Sequence, residues 1–345
     1  VRSGLSEAGY SAGAFFHAHP SFLLEWTANS GNESPCPRKP VEGANACREG
    51  ERCLCWGSAV KPLPLALLLS LLIGGVVHFS WRFASPSVET RYGPVLHEER
   101  SAFSHIRVRG RGTVRSLLFV DEDGAEQCQS SLDLAAPGTL RLGYTRALFA
   151  SLLFRHPQER VLVVGLGGGG MVRFLREKFP GTVVEAVEID PVVVRLATEA
   201  FGVVPGPGTR LHTADAFEFF RSGHGAFDAI YLDAFLRAPE LGERTARLKT
   251  RDFLATLREH LAPGGVVAFN LIGADPGTPE DLAAIRAVFP GTASFPVPGT
   301  GNLVVIATRD GPAPGVEELR ERAAALDGSL DLGFSLGEIA GWRRE

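Results

Sequence analysis

The stretch that decides the fold runs Arg160-Val-Leu-Val-Val-Gly-Leu-Gly-Gly-Gly-Gly170. Its first half is a short apolar run, which predicts a buried strand from Arg160 to Gly165. Its second half follows the pattern G-x-G-x-x-G and leads into an expected helix, Met171 to Lys178. Glycines permit a tight turn and let a ligand approach the backbone. The segment therefore predicts a strand–turn–helix unit for a nucleoside or dinucleotide; the alternative is a glycine turn without a ligand.

Strands and helices alternate after this turn. The further strands expected are Val183–Ile189, Arg210–Thr213, Phe227–Leu232, Val266–Leu271 and Leu303–Ala307. The helices expected between them are Pro191–Phe201, Ala216–Arg221 and Thr250–Leu261. Such alternation predicts an α/β fold, in which a parallel, doubly wound Rossmann-like sheet carries helices on both faces.

A small antiparallel β unit is expected before this sheet. Alternating apolar and polar residues predict strands at Ser104–Gly110, Val114–Val120 and Glu126–Ser130. A helix should follow from Tyr144 to Phe154. These patterns divide the folded part of the chain into a β unit (86–143), a Rossmann-like domain (144–310) and a helical tail (311–345).

Three features concern the nucleoside that the domain binds, and the last two separate adenosylmethionine from NAD. Glu188, near the end of the second strand, can accept hydrogen bonds from ribose hydroxyls, as in both NAD and adenosylmethionine sites. Asp215 can accept from the adenine amine, although an aspartate there can also cap a helix. The turn Leu261-Ala-Pro-Gly-Gly265 is typical of methyltransferase-type folds and not of dehydrogenases. Together these features favour an adenosylmethionine-type ligand over NAD.

The order of motifs from Glu98 to Thr308 resembles the spermidine synthase family, whose methyltransferase-type domain follows an N-terminal β unit. The resemblance includes Tyr144 and the glycine turn Gly165–Gly170. Its other segments are Glu99-Arg-Ser-Ala-Phe-Ser-His-Ile106, Asp123-Gly-Ala-Glu-Gln127, Val187-Glu-Ile-Asp190, Asp215-Ala-Phe-Glu-Phe219 and Phe227-Asp-Ala-Ile-Tyr-Leu-Asp233.

The resemblance implies an aminopropyltransferase of the polyamine biosynthesis class. In that family an amine attacks the carbon beside the sulfonium of decarboxylated S-adenosylmethionine, and methylthioadenosine leaves. The implied catalytic residues are Asp233, as the base, and Tyr144, which would orient the amine or merely pack. The implied donor-binding residues are Gln127, Gly165, Gly167, Gly169, Glu188, Asp215 and Ala216. Family members often pair, so a homodimer is also expected.

The chain departs from the family pattern at three acidic positions. Gly168 stands where the family's glycine turn has an aspartate, Leu236 replaces the second acid of Asp-x-x-Asp, and Arg146 replaces the acid of Tyr-x-Glu. Each lost charged hydrogen bond is worth about 1 to 3 kcal/mol. We therefore expect a small-molecule acceptor other than putrescine in its usual pose. Arg146 favours a neutral or anionic acceptor; the alternative is that Arg146 is simply a surface residue.

These departures keep other functions open. Without the turn aspartate, S-adenosylmethionine itself becomes a candidate donor, with methyl transfer to a non-polyamine acceptor as the reaction. A second alternative is a non-catalytic nucleoside-binding module. An NAD oxidoreductase is supported by the shared glycine motif alone. No metal is expected, since the four cysteines among residues 36–55 lack a C-x-x-C pair.

The first part of the chain differs in character. Residues 1–60 show no sustained period and are expected to be a disordered leader. Residues 63–81 carry no formal charge and predict a transmembrane helix within 61–82, with a buried helix or a cleaved signal peptide as alternatives. The donor is cytosolic, so we expect a single-pass anchor in a bacterial inner membrane with the catalytic domain in the cytoplasm. The net charge of -4 argues against a nucleic-acid partner.

Overall fold

A computed structural model describes residues 91–234 and 250–344. The predicted leader (1–60), the predicted membrane segment (61–82, with its apolar run 63–81) and Leu236 lie outside these residues. Within the described part, no helix is both long enough and apolar enough to cross a bilayer.

The β unit is a four-stranded antiparallel sheet in the order β1-β2-β3-β4. Its strands are Val95–Arg100, His105–Arg111, Val114–Val120 and Glu126–Asp133. The pairing of β3 with β4 shifts between Leu117 and Leu118, because Gln129 is an extra residue in β4. Such a bulge changes which side chains face each side of the sheet.

The second sheet has seven strands. In chain order these are β5 (Arg160–Val164), β6 (Val183–Glu188), β7 (Thr209–Thr213), β8 (Phe227–Leu232), β9 (Leu261–Ile272), β10 (Gly291–Pro296) and β11 (Asn302–Thr308). The spatial order is β10-β11-β9-β8-β5-β6-β7. The α/β doubly wound fold expected from the sequence is therefore confirmed.

Three details of this sheet differ from the prediction, the first being that no strand was expected at β10. The pattern predicted parallel strands, but β11 runs antiparallel to both β9 and β10. Only the short connection 297–301 joins β10 to β11, and a parallel pair would need a much longer crossover. The expected turn Leu261–Gly265 forms the irregular start of β9, where its pairing with β8 shifts.

Eight helices among the described residues surround the sheets. They are α1 (Gly143–Leu148), α2 (Gly170–Lys178), α3 (Pro191–Glu199), α4 (Ala216–Arg221), α5 (Arg251–Glu259), α6 (Thr278–Val288), α7 (Val316–Ser329) and α8 (Leu336–Ala340). The helix expected over 144–154 is α1 followed by a 3-10 segment, Phe149–Leu153. The tail helices α7 and α8 bury Leu319 and Leu336 in the core.

Strand periodicity explains the layers of the core. On β5, Val161 and Val163 point to the cluster that contains α2 and the tail helices. Leu162 and Val164 point to the opposite cluster, which contains residues of α4, α5 and α6. Successive side chains of a strand face opposite sides, so an uninterrupted apolar run is what a strand covered on both faces requires.

A third apolar cluster joins the β unit to the Rossmann-like domain. Ile106 and Leu117 of the β unit pack with Leu196 of α3 and with Phe201, which is fully buried. This packing holds β4 against the helices that follow the first two parallel strands. The β unit thereby closes one side of the cavity described next.

Candidate functional site

A cavity lies at the carboxyl ends of the parallel strands, where open α/β sheets bind their ligands. The sheet contributes Gly165, Glu188, Asp215 and Asp233 to its lining. The opposite side is built by β4, by α1 and by the segment between them; its polar residues are Gln129, Ser130, Ser131, Thr139, Arg141, Tyr144 and Thr145. The two sides come from segments far apart in sequence.

The glycine turn brings the backbone of two strand ends together. Gly165 has φ +92°, and a Cβ there would lie 2.3 Å from the carbonyl oxygen of Asp233. Gly167, with φ +52°, lines the cavity. Gly169 has φ +71° and does not line it; its Cβ would lie 2.2 Å from the side chain of Val203. The predicted glycines therefore have different roles: Gly165 and Gly167 face the cavity, while Gly169 serves packing.

Glu188 and Asp190 connect the turn to its surroundings. The Glu188 carboxylate accepts hydrogen bonds from the backbone N–H groups of Leu166 (2.9 Å) and Asp190 (3.1 Å). Loss of hydration raises the pKa of this carboxyl. Asp190 caps α3 through Val192 N (2.9 Å) and accepts from the hydroxyl of Ser101 (2.5 Å), which ties the β unit to the sheet. Glu188 thus holds the glycine turn and also faces the cavity.

Asp215 has both roles that its sequence position allows. One carboxylate oxygen, Oδ1, accepts from the backbone N–H of Phe217 at 2.8 Å and caps α4. The residue also lines the cavity, together with Ala216 and Phe217. The helix cap fixes the carboxylate at the rim, and the Phe217 ring adds an apolar surface suited to a flat base.

Asp233 follows the last residue of β8. Its backbone N–H donates to the carbonyl of Val164 at 2.9 Å, which continues the sheet one residue beyond the strand. Its Oδ1 accepts from Nδ2 of Asn270 at 2.7 Å, and Tyr144 supplies a second side-chain hydrogen bond. Burial raises the pKa of Asp233 to about 7, although both hydrogen bonds lower it. A carboxyl with this pKa can accept and release a proton near neutral pH.

Tyr144 links Asp233 to the β unit. Its hydroxyl lies 3.3 Å from the carbonyl oxygen of Gln129, and loss of hydration raises its pKa well above the usual 10. The phenol therefore stays protonated. It can donate to charged Asp233, or accept from protonated Asp233 while donating to Gln129.

Two residues of the site, Asn270 and Gln129, were not predicted from the sequence. Asn270 carries no family motif, and only the pairing of β8 with β9 brings it to Asp233. Gln129 lines the cavity, whereas the predicted Gln127 is absent from the lining. Gln127 and Gln129 would share a face in a regular strand, but the bulge at Gln129 interrupts the alternation of β4 between them and Ser130. Strand pattern alone does not reveal such an interruption.

The structure also locates two of the three departures from the family pattern. A Cβ at Gly168 would lie 2.9 Å from both the Phe201 ring and Oγ of Ser130, so other side chains occupy the space an aspartate would need. Arg146, the predicted acceptor-facing residue, is absent from the cavity lining. Arg141, in the segment that precedes α1, lines the cavity instead.

A cluster of titratable groups lies away from the cavity. Glu185, His212 and His224 place potential ligand atoms within 4.8 Å of one another. The Glu185 carboxylate already lies 3.0 Å from the guanidinium of Arg160 and 3.5 Å from that of Arg210. Two positive groups beside this carboxylate disfavour a cation there. We interpret the cluster as a network that joins β5, β6 and β7.

The fold is of the methyltransferase-like structural class, and the relatives of the chain are transferases. Residues 141–270 match the spermine/spermidine synthase domain. The polyamine aminopropyltransferase of Chromobacterium violaceum is 33% identical over 237 residues, which is 68% of this chain and 87% of that protein. The chain therefore belongs to the spermine/spermidine synthase family, as its motifs predicted.

One solved structure and one further relative are also similar to this chain. A probable spermidine synthase from Corynebacterium glutamicum aligns with a TM-score of 0.55 and 21% identity over 69% of this chain and 89% of that one, which supports the fold. The human eEF1A lysine and N-terminal methyltransferase is 33% identical over 178 residues, 45% of this chain and 26% of that protein.

Proposed function

We propose that the protein transfers an aminopropyl group from decarboxylated S-adenosylmethionine to an amine acceptor. The observation that carries the proposal is Asp233. Its carboxyl lines the cavity, has a pKa of about 7 and is hydrogen-bonded to Asn270 and Tyr144. Family membership supports aminopropyl transfer over other reactions of the fold.

The chemistry requires a base because a free amine has a pKa of about 10 and arrives protonated at neutral pH. Asp233 accepts that proton, and the nitrogen lone pair forms a bond to the carbon beside the sulfonium. The carbon–sulfur bond breaks, its electron pair returns to sulfur, and methylthioadenosine leaves as a neutral thioether. Tyr144 and Asn270 hold the carboxylate in place during the transfer, so the reacting groups need little reorganisation.

The donor nucleoside would bind on the sheet side of the cavity. The backbone of Gly165 and Gly167 would allow its close approach, and Glu188 would accept from the ribose hydroxyls. Asp215 and Ala216 would face the adenine. In each case the cavity lining contains the residue that the family pattern requires.

The acceptor would bind against the β-unit side. Among the described residues, four acids line the cavity: Glu188, Asp190, Asp215 and Asp233. The first three hold backbone N–H groups on the sheet side. Within residues 91–234 and 250–344 the cavity therefore offers a diamine no second carboxylate on that side, and Arg141 would repel a second ammonium. We propose an acceptor with a single amine near Asp233 and a neutral or anionic remainder.

Methyl transfer from S-adenosylmethionine is the second candidate. It is favoured by the similarity to the human lysine and N-terminal methyltransferase, whose name indicates amine substrates. It is also favoured by Gly168, because no aspartate is present in the glycine turn to pair with the aminopropyl ammonium. Asp233 would act as the base in either reaction.

Mass spectrometry of the products separates these candidates. The purified full chain is incubated with each donor and with mono- and diamines of graded charge. Methylthioadenosine supports the proposal, and S-adenosylhomocysteine supports methyl transfer instead. If neither product forms although calorimetry shows that a donor binds, both transfer reactions are overturned and the protein is a non-catalytic binding module.

Replacement of the base is the sharpest control. Asp233→Asn keeps the shape of the side chain and removes the proton acceptor, so we expect the rate to fall by about 10²- to 10⁴-fold. Asp252→Asn is the matched control, because Asp252 is an exposed acid in the first turn of α5. Full activity in Asp233→Asn would reject Asp233 as the base.

We also propose that residues 63–81 anchor the chain in the bacterial inner membrane, with the catalytic domain in the cytoplasm. The supporting observation is an uncharged run long enough to span a bilayer. The full chain should stay in the membrane pellet after a high-salt wash, whereas a chain lacking 63–81 should not. A homodimer stays a prediction that sedimentation velocity can test.

A further inference from the structure

The hydrogen bond between Asn270 and Asp233 depends on which way the Asn270 amide points. Asn270 lies on β9 and is only 5% exposed. Its two ends differ chemically: Nδ2 donates to Oδ1 of Asp233 at 2.7 Å, while its own Oδ1 accepts from Nδ2 of Asn302 at 2.9 Å. If the amide turned over, oxygen would face oxygen at Asp233 and nitrogen would face nitrogen at Asn302.

We propose that Asn302 is a positioning residue, which fixes the amide of Asn270 so that its N–H donor faces the Asp233 carboxylate. The inference rests on the proposed role of Asp233 as the base. Asn302 does not hydrogen-bond to Asp233 itself and acts through Asn270.

The backbone around Asn302 supports this role. Asn302 is the first residue of β11, opposite Ile272 on β9. Its N–H donates to the hydroxyl of Thr300 at 3.2 Å, and its carbonyl accepts from Val297 N at 3.0 Å. The side chain that orients Asn270 therefore projects from a turn held by its own hydrogen bonds.

The same turn also reaches the helix that carries Tyr144. A Cβ on Gly143 would lie 3.4 Å from the side chain of Val297 and 3.8 Å from that of Thr300, so this turn packs against the start of α1. The two side chains that hydrogen-bond to Asp233 are thus placed by elements that contact the connection 297–301.

The orientation matters because a donor and an acceptor have opposite effects on a carboxyl. An N–H group stabilises the charged form, whereas a carbonyl oxygen stabilises the protonated form. Tyr144 is the titratable group that hydrogen-bonds to Asp233, and Cys128 in turn acts on Tyr144. Both are neutral near pH 7, since burial raises the pKa of each. A change at Asn302 should therefore appear in the titration of Asp233.

The test measures that titration directly. The full chain is labelled with ¹³C at the aspartate carboxyls, and the Asp233 signal is identified by its loss in Asp233→Asn. Asn302→Ala should raise the pKa of Asp233 by about 0.5 to 1, because an Asn270 amide that is no longer fixed donates to the carboxylate for only part of the time. Asn302→Asp should raise it further, because the new carboxylate attracts the Asn270 N–H and adds a negative charge.

Two further variants separate positioning from loss of structure. Asn270→Leu removes the donor itself and should raise the pKa of Asp233 more than Asn302→Ala. Thr308→Val is the matched control, because it removes a hydroxyl from the far end of the same strand. That hydroxyl donates to Gly311 O at 2.8 Å. This variant should lose stability and leave the pKa of Asp233 unchanged.

The outcomes distinguish this inference from the proposed function. It is supported if the acid limb of the pH profile of kcat/KM moves with the pKa of Asp233. An unchanged pKa in both Asn302 variants would overturn it. A shifted pKa with an unchanged pH profile would still support the positioning by Asn302, but would overturn Asp233 as the base and with it the proposed function.

Discussion

The two sides of the cavity are built on different principles. The sheet wall, made by Gly165, Glu188, Asp215 and Asp233, consists of residues that also hold the fold together. The front wall, which includes Gln129, Ser130, Arg141 and Thr145, is formed by residues of β4, of α1 and of the segment between them. All four of these sheet-wall residues match the family's motifs. Of the two departures within the described residues, Gly168 lies in the glycine turn beside the sheet wall and Arg146 lies outside the lining.

This difference has a physical reason. A substitution at Glu188 or Asp215 would leave backbone N–H groups of the glycine turn or of α4 without their acceptor, in addition to any effect on a ligand. A substitution at Arg141 removes an exposed side chain with little effect on packing. The sheet wall is therefore constrained by folding, whereas Arg141 on the front wall is not.

The strongest test of the sheet wall is Gly165→Ala. The new Cβ would lie 2.3 Å from the Asp233 carbonyl at a φ of +92°, so we expect a loss of at least about 3 kcal/mol of stability. Gly181→Ala is the matched control, since nothing lies within 4 Å of its Cβ. Urea denaturation measures both; a loss below about 1 kcal/mol at Gly165 would contradict the assigned close approach.

The second test measures how the ionisation of Asp233 changes the free energy of unfolding. The pKa of Asp233 is about 7 in the folded protein and about 3.8 when unfolded. The unfolded chain thus loses this proton first, so stability falls as pH rises from about 4 to about 7. Asp233→Asn should be more stable than the wild type by about 2 to 4 kcal/mol at pH 8 and no more stable below pH 4.

Denaturation of both proteins across this pH range provides the measurement. A constant difference between them would show that Asp233 does not titrate in this window. The test is independent of any substrate, so it examines the environment of the carboxyl by itself.

The third test concerns the double role of Glu188. Glu188→Gln keeps one acceptor oxygen and should cost about 1 to 3 kcal/mol, because one of two backbone N–H groups loses its partner. Donor affinity should fall in parallel. Thermal unfolding measures the change in stability, and calorimetry measures the change in donor affinity. A loss of affinity without a loss of stability would show that Glu188 does not hold the glycine turn.

The smallest effect on stability is expected from Arg141→Ala. Arg141 is exposed, so the free energy of unfolding should change by less than about 0.5 kcal/mol. The KM for an anionic acceptor should rise several-fold, and diamines should become better substrates as a positive charge leaves the cavity. Unchanged acceptor preference would show that the front wall does not select the acceptor.

The amino-acid sequence by itself determined the alternating strands and helices, the glycine turn, and the placement of Glu188, Asp215 and Asp233 at strand ends. These features depend on local periodicity and on short motifs. The tertiary structure decided which further residues complete the site. The Asn270–Asn302 pair arises from strand pairing, and a bulge in β4 lets the consecutive residues Gln129 and Ser130 both line the cavity. Phe201 fills the space beside Gly168 through packing between segments distant in sequence. Such contacts have no local signature, since they depend on where separate elements meet.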